Sequence, residues 1–159
     1  MAHASAQFED LIGDYFNSAT SAFSTNHSSY SISDLSGING GWGSGYVKLA
    51  LTADSSLGAR FSSFNEISGN GYQRVSDDAN GGSFLSMTAD TTNNEWENQY
   101  NISFPQASGS WGTITYAIFV FDDGSDDFPL IACPLATSTA VGANTTLTFN
   151  AGDLKYTIA

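Results

Sequence analysis

Cysteine is nearly absent from this sequence. Of 159 residues only Cys133 carries a thiol, so no disulfide can form within the chain. Its place in the apolar run Leu130-Ile131-Ala132-Cys133-Pro134-Leu135 predicts a buried, inert side chain rather than a nucleophile. Positive charge is almost as scarce: 4 Lys plus Arg stand against 16 Asp plus Glu, a formal net charge of −12 at pH 7. A chain so poor in cations cannot neutralise a phosphate backbone, which argues against nucleic acid as a partner and equally against anionic membranes. Charged residues of both signs make up 13 % of the chain, about half the usual share, so the polar surface has to be built from Ser, Thr, Asn and Gly. Long apolar runs are missing as well. None approaches the ~18 residues of a membrane-spanning helix, and no basic-then-apolar leader opens the sequence, so neither a membrane anchor nor export by a signal peptide is expected.

What is there is core material: 41 % hydrophobic and 13 % aromatic residues, in a chain of the length of one ordinary domain. The expectation is a single domain over 1–159, with a helix at 6–23, a connection at 24–45 and a β domain at 46–159. The helix follows from Phe8, Leu11, Ile12, Tyr15, Phe16, Ala19, Ala22 and Phe23, spaced to share one helical face, with Ser5 as N-cap and Glu9 and Asp10 near the positive end of its dipole. The connection is rich in Ser, Asn and Gly and ends in Gly40-Gly41-Trp42-Gly43-Ser44-Gly45.

Beyond it the pattern changes to strands. Alternation at Tyr46–Thr52 puts Val47, Leu49 and Leu51 on one face. Further strands are expected at 83–88, 95–104 (ended by Pro105), 128–135, 145–149 and 154–158, with a turn at Ser68-Gly69-Asn70-Gly71. The strongest is 112–122. Strict alternation there sets Ile114, Tyr116, Ile118 and Val120 against Thr113, Thr115, Ala117, Phe119 and Phe121, and two apolar faces mark a central strand. Turn signals about every ten residues predict a mainly β fold, an antiparallel sandwich or barrel-like domain carrying one N-terminal amphipathic helix.

Catalytic equipment is not visible. His3 and His27 have no orienting partner in sequence, and there is no nucleophile elbow, phosphate-binding glycine loop or zinc pattern. The cluster Asp122, Asp123, Asp126 and Asp127 lacks the spacing of a calcium loop, so a solvated acidic turn is expected. Trp42, Trp96 and Trp111 are candidates for stacking on sugar rings, although large aromatics in β proteins more often serve cores and interfaces. No catalytic residue, cofactor or metal is expected. As partner contacts the sequence offers Phe8, Tyr15 and Phe16 on the helix face and Trp42 in its glycine-rich surroundings.

Two segments are distinctive: Glu66-Ile67-Ser68-Gly69-Asn70-Gly71-Tyr72-Gln73-Arg74 and Phe104-Pro105-Gln106-Ala107-Ser108-Gly109-Ser110-Trp111-Gly112-Thr113. With the helix at Phe8–Phe16, the strand at Tyr46–Leu51 and the ending Leu147–Ile158, they give the chain an order of motifs that resembles a family of small virion structural proteins of tailed bacteriophages. The stretches 24–45 and 52–63 depart from that pattern. The resemblance implies a non-enzymatic particle component. Its expected form is a capsid cement or decoration protein on the outer surface of the virion, assembled in the host bacterial cytoplasm and bound to the major capsid protein, as a homo-oligomer with a trimer favoured. The alternatives are a minor tail, fibre or spike component contacting tail proteins and, in a different class, a carbohydrate-binding module.

Overall fold

The computed structural model describes residues 3–4, 47–58, 61–76, 87–90, 95–122 and 127–157. The expected helix at 6–23 and connection at 24–45 lie outside them. The described residues contain ten strands and no helix. In chain order these are β1 (His3–Ala4), β2 (Val47–Thr52), β3 (Val75–Ser76), β4 (Met87–Asp90), β5 (Glu95–Asn98), β6 (Ile102–Ser103), β7 (Gly112–Asp122), β8 (Asp127–Val141), β9 (Thr148–Phe149) and β10 (Lys155–Thr157). They form a five-stranded sheet in the order β1-β8-β7-β2-β3, a three-stranded sheet β10-β5-β4 and a pair β6-β9. Every pairing is antiparallel.

β7 is central because its β-branched and aromatic residues suit a pleated surface buried on both sides. It pairs with β2 from Val47↔Phe121 to Thr52↔Tyr116 and with β8 along its other edge. One face carries Leu49, Ala117, Phe119, Ile131 and Cys133 into the larger core. The other carries Ala50, Ile118, Val120 and Ala132 into a smaller core, covered by Leu57 and Phe61 from the segment that follows β2. Residues of β6 and β9 (Ile102 and Phe149), with Phe104, Trp111, Leu147 and Leu154, complete the larger core.

The strand expected at 145–149 narrows to Thr148–Phe149, and three further expectations change in the structure. Alternation places Ile114 with Ile118 and Val120, but the β7–β8 ladder shifts between Ile114 and Tyr116, and Ile114 turns into the larger core beside Ala117 and Phe119. Over the same step β8 runs from Thr139 back to Pro134, so the extra residues form an outward bulge. A second shift lies at Phe119/Val120, opposite Ile131 and Pro129. Both prolines of β8 therefore stand at irregularities of the ladder, where a missing N–H costs least. β8 also extends to Val141, past the expected end at residue 135.

The expected strand 95–104 is two strands, β5 and β6, in different sheets. Asn98 explains the break. It is 1 % exposed, and its Nδ2 donates to the carbonyls of Tyr100 and Asn150, each at 2.8 Å. Its Oδ1 accepts the Leu154 N–H at 2.8 Å. A buried amide that satisfies three backbone groups holds a corner between β5 and the turn before β10. Finally, Cys133 is fully buried, and burial pushes its thiol up to about 12.

Candidate functional surface

The turn expected at 68–71 is built from three successive residues in the left-handed region: Gly69 (φ 74°), Asn70 (φ 52°) and Gly71 (φ 76°). Glycine and asparagine are the residues that tolerate this conformation, which is why the Gly-Asn-Gly sequence can close it. The Tyr72 N–H donates to the Gly69 carbonyl at 2.9 Å. The turn points the Asn70 carbonyl at the other distinctive segment, where it accepts the Ser108 N–H at 2.9 Å and Trp111 Nε1–H at 3.0 Å. The Asn70 amide in turn donates to the Ser110 carbonyl at 2.7 Å. Gly109 makes this approach possible, since a Cβ there would stand 2.6 Å from Asn70 Oδ1.

A third loop joins them. The Ala107 N–H donates to the Thr145 carbonyl at 2.9 Å, the Asn144 N–H to the Ala107 carbonyl at 2.7 Å, and Gln106 Nε2 to the Asn144 carbonyl at 3.2 Å. The turn at 68–71, the loop at 105–110 and the turn at 142–145 thus make one backbone-bonded cap. Beneath it lies a ring cluster. Trp111 meets Tyr72 edge-on at 5.4 Å between centroids, and Phe104 contacts Trp111 at 6.3 Å and Phe149 at 6.2 Å.

The cap is tied to the charged part of the molecule through Tyr72. Its hydroxyl accepts the Leu51 N–H and donates to Glu66 Oε1, both at 2.9 Å. Burial, then the neighbouring Glu66 charge, raises the Tyr72 phenol well above its ordinary value. Glu66 also receives Arg74 as a fork, Nε to Oε1 at 2.8 Å and Nη2 to Oε2 at 2.6 Å. Arg74 goes on to Asp122 Oδ2 at 3.0 Å and Asp127 Oδ2 at 2.9 Å, and Lys48 reaches Asp122 at 2.8 Å. These bonds, first of all those from Glu66, raise the Arg74 guanidinium further. The expected solvated acidic turn is corrected at its two ends: Asp122 and Asp127 are held by Arg74, and with Glu66 they bind the β7–β8 hairpin to the strand segment before β3.

Asp54 anchors the segment after β2. Its carboxylate accepts Asn65 N–H at 2.9 Å and Asn65 Nδ2 at 2.7 Å. Burial acts to raise the Asp54 carboxyl, but the bonds from Asn65 and Thr52 outweigh it and hold the group below 3.8. An open hollow of about 520 Å³ lies there, bordered by Asp54, Leu57, Phe61 and Asn65. Each oxygen of that carboxylate accepts one bond from Asn65, and among the described residues no three His, Cys, Asp or Glu side chains group as a metal site.

Of the candidate contact residues, Phe8, Tyr15, Phe16 and Trp42 lie outside the described residues. Trp111 is core, 5 % exposed and closed over by the cap. The backbone of Trp96 pairs with Ala89 and Tyr156. Sequence reasoning placed Asn70, Arg74 and Gly109 in the two distinctive segments, with no structural role for any but Asn70 in its turn, and gave Asn98 no role at all. The one signal for the cap was the pair of glycines in each of the two distinctive segments, which turn out to be bonded to each other.

Residues 44–157, well over half of the chain, match the family model described as podophage GP4 fiber I protein gp80. The chain belongs to this phage fibre family. It is a tailed-phage structural protein by descent, as the ordered motifs implied, and both distinctive segments fall inside the matched range. The range leaves out the expected helix at 6–23. No curated protein and no solved structure matches the chain.

Proposed function

We propose that this chain is a non-enzymatic fibre component on the outer surface of a tailed-phage particle, contacting tail proteins of the same phage. The observation that carries the reading is the family match over 44–157, whose printed description is a fibre protein. It favours the fibre alternative over the capsid cement expected first. The non-enzymatic part of the reading draws support, among the described residues, from Glu66, Arg74, Asp122 and Asp127 being engaged with one another and the Asp54 carboxylate with Asn65. An acid/base catalyst needs a carboxyl or imidazole free to exchange a proton with a substrate.

Quantitative mass spectrometry of purified particles, referenced to the major capsid protein, tests the assignment. A few copies per tail are expected, with adsorption to the host lost when the protein is removed. Hundreds of copies per particle would overturn the fibre reading and restore the cement one.

A further inference from the structure

Three Asn-Gly pairs occur in the sequence, at 39–40, 70–71 and 80–81. The first and last lie outside the described residues, and Asn70–Gly71 forms part of the cap. Such a pair is chemically labile in an unconstrained chain. The Gly71 nitrogen, with no Cβ on its own residue to hinder it, can attack Cγ of the Asn70 amide. A bond forms from that nitrogen to Cγ, the Cγ–Nδ2 bond breaks, and Nδ2 leaves as ammonia with the proton that the Gly71 nitrogen gives up. The product is a five-membered cyclic imide. Water then adds to one of its two carbonyl carbons and breaks that carbon's bond to nitrogen, which takes back a proton. Opening at Cγ leaves aspartate; opening at the backbone carbonyl leaves isoaspartate, whose main chain runs through Cβ and Cγ. One water is consumed and one ammonia released.

We infer that Asn70 is a modification site that the closed cap keeps inert, that deamidates when the cap opens, and whose product weakens the cap. Ring closure needs Cβ of Asn70 and the Gly71 nitrogen on the same side of the Cα–C bond. With φ 52° Asn70 sits in the left-handed region, where ψ is about +47° and these two atoms lie on opposite sides. Bringing them together takes roughly half a turn about that bond. The rotation swings the Asn70 carbonyl off both of its donors, Ser108 N–H at 2.9 Å and Trp111 Nε1–H at 3.0 Å. The side chain is held as well: Nδ2 donates to the Ser110 carbonyl at 2.7 Å, and Gly109 lies so close that a Cβ there would stand 2.8 Å from Cγ. Reaction therefore waits on opening of the cap. The product cannot restore what was lost. A carboxylate oxygen in place of Nδ2 faces the Ser110 carbonyl acceptor to acceptor, and isoaspartate adds a carbon to the backbone within three successive left-handed residues. The inference goes beyond the fibre reading and does not rest on it.

Mass spectrometry of the full chain, incubated at mildly alkaline pH either folded or in urea, tests it. Tryptic cleavage after Arg60 and Arg74, performed on the denatured samples, releases residues 61–74 and separates Asn70 from the other two pairs. Conversion at Asn70 should be about tenfold slower or more in the folded chain than in urea, because it proceeds only through local opening. Trp111→Phe, which removes the indole donor to the Asn70 carbonyl, should raise the folded rate several-fold and leave the rate in urea unchanged. Asn70→Asp should melt several degrees below the wild type and below Asn70→Gly, which loses the bond to Ser110 without gaining a carboxylate. Equal rates with and without urea overturn the inference, as does absence of conversion in urea. So does an unchanged folded rate in a folded Trp111→Phe chain, or an Asn70→Asp chain that melts no lower than Asn70→Gly. Should Trp111→Phe fail to fold, the wild-type rates and the two Asn70 variants decide.

Discussion

Gly109 and Asn70 show how much a single contact can ask of two residues. Asn70 has a left-handed backbone and a side chain bonded to Ser110, and its Oδ1 occupies the space a Cβ at position 109 would need. Gly109→Ala should therefore cost about 1–3 kcal/mol by overpacking, seen as a melting temperature lower by several degrees. The penalty should shrink in an Asn70→Gly background, which keeps the left-handed turn and removes the obstructing amide; equal penalties in both backgrounds would place the strain elsewhere. Tyr72 gives a second test, with pH as the variable. Its phenol is raised by burial and by Glu66, so it stays protonated in the folded chain where an unfolded tyrosine ionises near 10.0. The stabilisation is complete below that pH and declines as pH rises past it, because the unfolded state there holds fewer protons. In urea titrations from neutral to strongly alkaline pH, Tyr72→Phe should be less stable near neutrality by about 1 kcal/mol, through the lost hydrogen bonds. Its alkaline decline should be shallower than the wild type's.

Among the elements, β2 and β7 were legible in the sequence nearly to the residue, because both are simple alternating runs between turn signals. Two features were not. Alternation cannot anticipate the shift that turns Ile114 into the larger core, since a bulge depends on the partner strand, and β8 absorbs the extra residues. Nor could hydropathy divide 95–104, where the decisive group is a polar side chain whose three partners lie in the following turn and across the chain at Asn150 and Leu154. The cap was legible only as one glycine-rich turn at 68–71 and one distinctive segment at 104–113, and their union across about forty residues is a tertiary fact. The Asn98 corner can be tested as an element. Asn98→Ala leaves the Leu154 N–H and two carbonyls without their partner, so about 2–3 kcal/mol of stability should be lost. Hydrogen exchange should rise first at Leu154 and Gly152, whose N–H groups bond to Asn98, and not along β7. Uniform acceleration across β7 as well would mean that the corner and the central sheet open together.

At the scale of the whole molecule the dominant fact is sixteen acidic residues against four basic ones. Two salt effects oppose each other. Screening weakens the pairs made by Lys48, Arg74 and Lys155, and it relieves repulsion among the carboxylates that have no cation to pair with. The first effect is small: exposed pairs such as Lys155–Glu97 are worth about 0–1 kcal/mol, and the Arg74 cluster is shielded from salt because its guanidinium side chain is only 17 % exposed. The second acts on most of the acidic residues, since four cations cannot neutralise sixteen carboxylates, and compacting so many like charges destabilises the folded state. Repulsion therefore wins. Raising sodium chloride from about 10 mM to about 150 mM shortens the screening length from ~30 Å to ~8 Å, and the melting temperature of the isolated chain should rise. Potassium chloride at the same ionic strength should give the same rise, because the effect is screening and not ion binding. A melting temperature that falls with salt would mean that the Arg74 network outweighs the net charge. Arg74→Met should then abolish the fall, whereas under the repulsion account it lowers stability and leaves the upward salt dependence in place.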